Sequence, residues 1–377
     1  MMALHVLDTS KPLLGAIPRT SFWLPEKPVD VLFLGCSFYG LAGLGIGATR
    51  PDSVLRYGLL PPITYIVYLI GRHSFDVMPR LLLSNALAGT VCAAWTQFLV
   101  SGFILKENFE DAGPQIGGSA TYPSPYEATT WELSHRNARR RPDTLFQRFL
   151  FGVNTVNSQR NTLTAERTRN IPPFKRSDPK YIPSKGHFLL TRGSVAFIFF
   201  LIIDILTSGP GNSGGNAVIF AQEKSSLFRR GNLEEWQQRA TVTLGQLFGI
   251  YTVTTWMHST IAVATVAVGV YPPEGWPPLY GNIFDIWSLR KFWGCFWHQM
   301  LRYKLSATAD WAVYSVLGLR RGDLAARYAH LFGVFAASGL CHIMMDIVGP
   351  IKVSETYAFR FYVLQAVGIT IEDGVRW

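Results

Sequence analysis

Long apolar segments that recur along the chain constrain its fold more than any other sequence feature. Residues 81–105 and 331–348 approach or exceed the length of about 20 mostly apolar residues that a membrane-spanning helix needs. The composition agrees, because 48% of the residues are hydrophobic and only 16% are charged. The sequence therefore predicts an all-α polytopic membrane protein, a multi-helix bundle of about seven to eight transmembrane helices.

The predicted helices differ in length and in the residues that interrupt them. Five glycines lie close together in the first, and they predict tight packing against another helix rather than phosphate binding. Pro61 and Pro62 interrupt the second, and 312–319 is short enough for a re-entrant or interfacial segment. The predicted segments are 31–48, 57–71, 81–105, 188–206, 240–270, 312–319, 331–348 and 359–371.

The net charge of +10 comes from bases that cluster between the apolar segments. Such clusters are typical of cytoplasmic loops that face anionic lipid, so we expect a lipid bilayer and no nucleic acid as a partner. The largest cluster, 106–187, predicts a cytosolic basic loop with an interfacial helix near 144–151. The four cysteines form no CxxC pair, which favours small apolar fillers and no metal site. We expect no cleaved signal sequence, because residues 1–30 have scattered prolines and no basic segment followed by a short apolar core and a cleavage site.

Residues 288–303, SLRKFWGCFWHQMLRY, combine aromatic side chains, bases and one histidine. Taken alone, this mixture is typical of an aromatic belt that anchors an interfacial helix. His298 adds a group that can transfer a proton or donate a hydrogen bond to a polar substrate. The segment therefore has an anchoring interpretation and a chemical one.

A second histidine, His342, lies with Asp346 inside the apolar segment 331–348. Ionisable groups inside a membrane are costly, so they indicate a functional site. The spacing of four residues puts both on one helical face, where we expect Asp346 to bond and orient the imidazole. A structural histidine bonded to a carbonyl on a neighbouring helix is the alternative for His342. For His258, within a predicted membrane span, we expect a structural histidine whose hydrogen bonds are satisfied within the protein.

Three local patterns resemble the wax synthase-like branch of the membrane-bound O-acyltransferases, in particular fungal secondary-metabolite O-acetyltransferases. FWGCFWHQMLR at 292–302 is similar to that branch's FWG..WH motif, and FAASGLCH at 335–342 is similar to its SGL.H motif. The third pattern is FYVLQAVGITIED at 361–373. Cys295 departs from the first motif, because relatives commonly carry a base there.

The resemblance implies one membrane domain, 1–377, with a buried acyl-transfer tunnel and a catalytic region at 288–373. It implies transfer from an acyl-coenzyme A, most simply acetyl-coenzyme A, to an alcohol, without a permanently bound cofactor. The residue matching His342 is the catalytic base in that family, and the position of His298 carries histidine or asparagine near the thioester. Candidate donor-binding residues are Trp293, Trp297, Arg290 and Arg302.

The predicted reaction is acetylation of a terpenoid or polyketide-type hydroxyl by a multi-pass protein of the endoplasmic reticulum. A long-chain wax ester synthase is the nearest alternative in chemistry. A transporter with midplane histidines and a haem-binding oxidoreductase are alternatives from other classes. The sequence pattern indicates no oligomeric state.

Overall fold

A computed structural model describes residues 28–77, 81–110, 144–163, 167–208, 231–349 and 356–376. These residues are helical with connecting turns, and they include no strand, so the predicted all-α class is confirmed for this part of the chain. Residues 111–143 of the predicted basic loop and the N-terminal residues 1–27 lie outside the described residues.

The part of the chain that the structure describes contains eleven α-helices, and a π-helical turn continues three of them. The helices are α1 Pro28–Gly47, α2 Val54–Gly58, α3 Leu60–Val77, α4 Leu81–Leu99, α5 Leu145–Asn157, α6 Lys185–Ser208, α7 Leu233–Ala267, α8 Leu289–Lys291, α9 Arg302–Asp310, α10 Leu324–Val348 and α11 Ala358–Arg376. The π-helical turns are Val100–Ile104 after α4, Phe292–Phe296 after α8 and Trp311–Val316 after α9.

Five helical stretches of the described residues are long and apolar enough to cross a membrane. They are Val29–Gly47, Val54–Ser74, Leu82–Ile104, Lys185–Ser208 and Leu324–Val348. The predicted segments 240–270 and 359–371 lie mainly in α7 and α11, whose sequences contain more polar residues. The crossing of the membrane by those two helices, and hence a total of about seven to eight, stays a prediction.

The outer surface of α6 is apolar. Large side chains there are well exposed, including Leu190, Phe197 and Ile205. A soluble protein rarely leaves so continuous an apolar surface to water, whereas a lipid-facing helix requires one. The arrangement agrees with an integral membrane protein.

Gly47 of α1 and Gly152 of α5 allow these two helices to approach at backbone distance. A Cβ atom on Gly47 would lie 1.7 Å from the carbonyl oxygen of Arg148, and one on Gly152 would lie 1.9 Å from the carbonyl oxygen of Gly43. Only glycine is compatible with such contacts. The predicted helix near 144–151 is therefore present as α5, and the predicted packing role is confirmed for Gly43 and Gly47.

Arg56 joins the end of α1 to the segment that follows α4. Its side chain is fully buried, and the guanidinium group donates to five backbone carbonyl oxygens and one hydroxyl. The accepting carbonyls belong to Gly45, Ile46, Thr49, Gly102 and Glu107. Helix ends leave carbonyl groups without intrahelical partners, and Arg56 satisfies several of them at once.

Replacement of Arg56 by methionine, a long side chain without donors, tests this role. Each buried carbonyl left without a partner costs about 1–3 kcal/mol, so Arg56→Met should lower stability by at least about 3 kcal/mol. The thermal midpoint of the detergent-solubilised protein measures this loss. Arg50→Met, at an exposed position nearby, is the matched control, and an equal midpoint for both variants would contradict the proposed role of Arg56.

Candidate functional site

The packing of α10 against α11 brings the SGL.H motif next to the third motif. Phe335 of α10 lies in a buried cluster with Ala366 and Ile369 of α11. A Cβ atom on Gly339 would lie 2.9 Å from the Cα atom of Phe359. The glycine of the motif therefore permits the close approach of the two helices.

His342 is held at both ring nitrogens. Its Nδ1 atom lies 2.8 Å from the backbone carbonyl oxygen of Ser338, and its Nε2 atom lies 2.7 Å from the hydroxyl oxygen of Tyr362. A carbonyl oxygen only accepts hydrogen bonds, so Nδ1 carries the proton of the neutral ring. The Nε2 lone pair then accepts from the Tyr362 hydroxyl and is the basic position of the ring.

The expected pairing of Asp346 with His342 is wrong in this structure. The carboxylate of Asp346 accepts a hydrogen bond from the Thr356 hydroxyl, while Ser338 and Tyr362 occupy the two ring nitrogens of His342. Side chains four residues apart share a helical face, but the partner donated by a neighbouring segment competes with the local one. Ser338 and Tyr362, rather than Asp346, orient the imidazole.

His298 follows the π-helical turn Phe292–Phe296, where the backbone becomes extended at Trp297. The amide of Gln299 fixes this bend, because its Nε2 atom donates to the carbonyl oxygens of Trp293, at 3.0 Å, and Trp297. The ring of His298 packs against Trp297 and Tyr280, with centroid distances of 5.4 and 5.9 Å.

The Nδ1 atom of His298 is buried and has no hydrogen-bond partner among the described residues. Burial, followed by repulsion from a protonated His342 and from Arg160, lowers the pKa of His298 to about 4. The ring is therefore neutral at physiological pH, with one nitrogen as donor and the other as acceptor. An unpaired ring nitrogen of this kind can bind a polar group of a substrate.

Aromatic rings connect the two histidines. The ring of Trp293 lies 6.0 Å from that of Trp297, which contacts His298, and 5.8 Å from that of Tyr362, which contacts His342. The indole of Trp293 is fixed by a 3.1 Å hydrogen bond to Gln365. We refer to Trp293, Trp297 and Tyr362 as the aromatic wall. The sequence analysis predicted both tryptophans as candidate site residues. It included Tyr362 only as part of the third motif, without a role.

The two arginines predicted to bind the acyl donor, Arg290 and Arg302, have hydrogen-bond or ion-pair partners within the protein. Arg290 forms an ion pair with Asp373, with 2.5 Å between nitrogen and oxygen. Arg302 donates to the carbonyl oxygen of Gly294 at 2.7 Å and to the side chain of Gln299 at 2.8 Å. These bonds hold the 288–303 segment against α11 and onto itself, and contact with donor phosphates stays a prediction.

His258 has the structural role expected from the sequence. Its Nε2 atom lies 2.8 Å from a guanidinium nitrogen of Arg160, which also donates to the carbonyl oxygens of Pro277 and Pro278. Sequence reasoning did not single out Arg160 as the partner. Within the part of the chain that the structure describes, no group of three or more His, Cys, Asp or Glu side chains is placed to hold a metal ion.

Comparisons with known proteins place the chain in a family. The sequence pattern described as "Membrane bound O-acyl transferase family" matches residues 276–364. The chain is 30% identical over 356 residues to acetyltransferase aurG of Calcarisporium arbuscula, covering 89% of this chain and 82% of that protein. The chain belongs to the membrane-bound O-acyltransferase family. The resemblance predicted from the three motifs is thereby confirmed, and the matched stretch contains the two histidines and Tyr362.

Other relatives of this chain align over less of their length. It is 37% identical over 216 residues to acetyltransferase fsoF of Humicola fuscoatra, covering 55% of this chain and 51% of that protein. It is 31% identical over 235 residues to acetyltransferase ataH of Aspergillus terreus, covering 60% of this chain and 76% of that protein. The alignment with fsoF thus spans about half of that relative. No solved structure matches the chain.

The close approach of α10 to α11 at Gly339 can be tested by a substitution. Gly339→Ala places a methyl group 2.9 Å from the backbone of Phe359, so α10 and α11 must separate. Overpacking of this kind costs about 1–3 kcal/mol, and we expect a lower thermal midpoint of the detergent-solubilised protein. Gly245→Ala in α7 is the control, because its added Cβ meets no atom within 4 Å. Equal midpoints for both variants would show that the contact is not tight.

Proposed function

We propose that this acyltransferase moves an acetyl group from acetyl-coenzyme A to a hydroxyl of a terpenoid or polyketide-type metabolite at the endoplasmic reticulum membrane. The observation that carries the proposal is the basic Nε2 atom of His342 at one end of the aromatic wall and the unpaired Nδ1 atom of His298 at the other. Acyl transfer to an alcohol needs a base and a group that polarises the carbonyl.

In the proposed reaction, His342 acts as the general base. Its Nε2 lone pair takes the proton of the acceptor hydroxyl while the alcohol oxygen attacks the thioester carbonyl carbon. The carbon–sulfur bond then breaks, the thiolate of coenzyme A leaves, and the proton passes from Nε2 to the sulfur. No covalent acyl-enzyme forms. The bond from Nδ1 to the Ser338 carbonyl stabilises the protonated ring that exists between the two proton transfers.

In the same reaction, His298 acts on the carbonyl oxygen. A neutral imidazole donates one N–H hydrogen bond, and this donor stabilises the negative charge that develops on the oxygen during attack. Its low pKa supports this role, because a cationic ring beside His342 would lower the basicity of that residue.

Support for the acetyl donor comes from the relatives. The relatives aurG, fsoF and ataH are named as acetyltransferases. Support for the acceptor class comes from the motif resemblance to fungal secondary-metabolite enzymes. Preference for long-chain acyl donors in an assay would instead indicate the wax ester reaction and would leave the family assignment intact.

Replacement of His342 tests the proposed function. Membranes that contain the protein are incubated with radiolabelled acetyl-coenzyme A and a panel of terpenoid and polyketide alcohols. Loss of a general base typically lowers the rate by about 10²- to 10⁴-fold, which is the decrease expected for His342→Ala. His330→Ala is the matched control, because His330 lies on the same helix and pairs with Asp310 instead. Labelling by His342→Ala as strong as labelling by His330→Ala would contradict the proposed role of His342. Absence of labelling by the wild-type protein with every alcohol would instead favour a non-enzymatic role.

Two replacements of His298 separate its chemistry from its packing. Asparagine keeps an N–H donor at this position, whereas alanine removes it. Removal of one oxyanion donor costs about 10²- to 10³-fold in kcat, so we expect that loss for His298→Ala and a clearly smaller one for His298→Asn. Steady-state kinetics of both variants measure the difference. Equal losses would indicate that shape, rather than hydrogen bonding, matters at this position.

A further inference from the structure

The Tyr362 hydroxyl lies where the acceptor alcohol must bind. It is 2.7 Å from the Nε2 atom of His342, and the two rings are 4.4 Å apart. The neutral imidazole has a single lone pair, which lies in the plane of the ring at Nε2. Two hydroxyl groups cannot both donate well to one lone pair, so the tyrosine and an acceptor alcohol compete for the same position.

A general base next to a bound thioester can also promote hydrolysis of that thioester. Water can donate to Nε2 as an alcohol does, and its oxygen can then attack the thioester carbonyl. The carbon–sulfur bond breaks, the proton passes through Nε2 to the leaving thiolate, and the products are free coenzyme A and acetic acid. This hydrolysis wastes the donor whenever no acceptor is bound.

We propose that the Tyr362 hydroxyl caps the basic nitrogen of His342 and so suppresses transfer of the acyl group to water until an acceptor alcohol displaces it. The inference rests on the proposed role of His342 as the base. A bound acceptor gains contacts along its whole apolar body and can displace one hydroxyl, whereas a water molecule has no such compensation. Tyr362 thereby contributes to selectivity for an alcohol over water.

The packing of Tyr362 does not depend on its hydroxyl. Its ring contacts Trp293 at 5.8 Å and Phe361 at 5.1 Å between centroids, and phenylalanine keeps both contacts. Tyr362→Phe therefore removes the cap and leaves the aromatic wall in place. A purely structural role for Tyr362 predicts little change in this variant, or a parallel fall in all activities.

The test measures release of coenzyme A from acetyl-coenzyme A by purified protein in detergent, without acceptor. We expect Tyr362→Phe to release coenzyme A about two- to tenfold faster than wild type, the range that one neutral hydrogen bond supplies. Tyr271→Phe, which also removes one tyrosine hydrogen bond, here to Asn154, should match wild type. Adding His342→Ala to Tyr362→Phe should abolish the increase, because the uncapped base is then absent.

A chemical probe gives a second readout that does not need turnover. Diethyl pyrocarbonate reacts with an unbonded imidazole nitrogen, and mass spectrometry measures its addition to the peptide that contains His342. We expect about two- to tenfold faster modification of His342 in Tyr362→Phe than in wild type. Tyr362→Met, which also lacks the hydroxyl, serves if the phenylalanine variant does not purify as a single species.

The outcomes separate the inference from the proposed function. Normal acetyl transfer by wild type, with no faster release of coenzyme A and no faster modification of His342 in the variants, would overturn the cap and leave the proposed function standing. Absence of both transfer and coenzyme A release in wild type and variants alike would overturn the proposed function and the inference with it.

Discussion

Backbone carbonyl groups that have no water to bond with impose the main constraint on this fold. In a lipid environment, each such group needs a partner within the protein. The chain meets this need with long polar side chains at helix ends and bends, where the intrahelical bonds stop. Arg56 takes the carbonyls at the end of α1 and after α4, Arg160 takes those of Pro277 and Pro278, and Gln299 takes those of Trp293 and Trp297.

The same need of backbone carbonyls for donors determines which ring nitrogen of His342 is basic. The carbonyl of Ser338 takes the Nδ1 proton of His342, which leaves the lone pair at Nε2 facing the aromatic wall. Gln299 bends the chain after the π-helical turn and thereby sets the position of His298 at the other end of that wall. A few hydrogen bonds to the backbone thus determine how both histidines are presented. Within 288–303, Arg290 and Arg302 hold the segment in place, while the imidazole of His298 keeps its Nδ1 atom unpaired.

Sequence reasoning predicted the features that depend on local pattern. Apolar length predicted the helices, the glycines of α1 predicted a close helix contact, and three short motifs predicted the family. Sequence reasoning gave the wrong hydrogen-bond partners where these depend on which distant segments pack together. The spacing of His342 and Asp346 favoured a local pair, yet Thr356 and Tyr362 from the following segment and helix supply the actual bonds. No local pattern marks Tyr362 as the partner of His342, because that contact follows from the approach of α10 and α11 at Gly339.

The central claim is that His342 and His298 face one reacting thioester from two sides. The most direct measurement is a structure with an acetyl-coenzyme A analogue in which a methylene group replaces the thioester sulfur and the carbonyl is kept. The account predicts the analogue's carbonyl oxygen within hydrogen-bond distance of His298, about 2.7–3.2 Å, with room for one hydroxyl oxygen between the carbonyl carbon and Nε2 of His342. An analogue whose carbonyl lies away from both histidines would contradict the account.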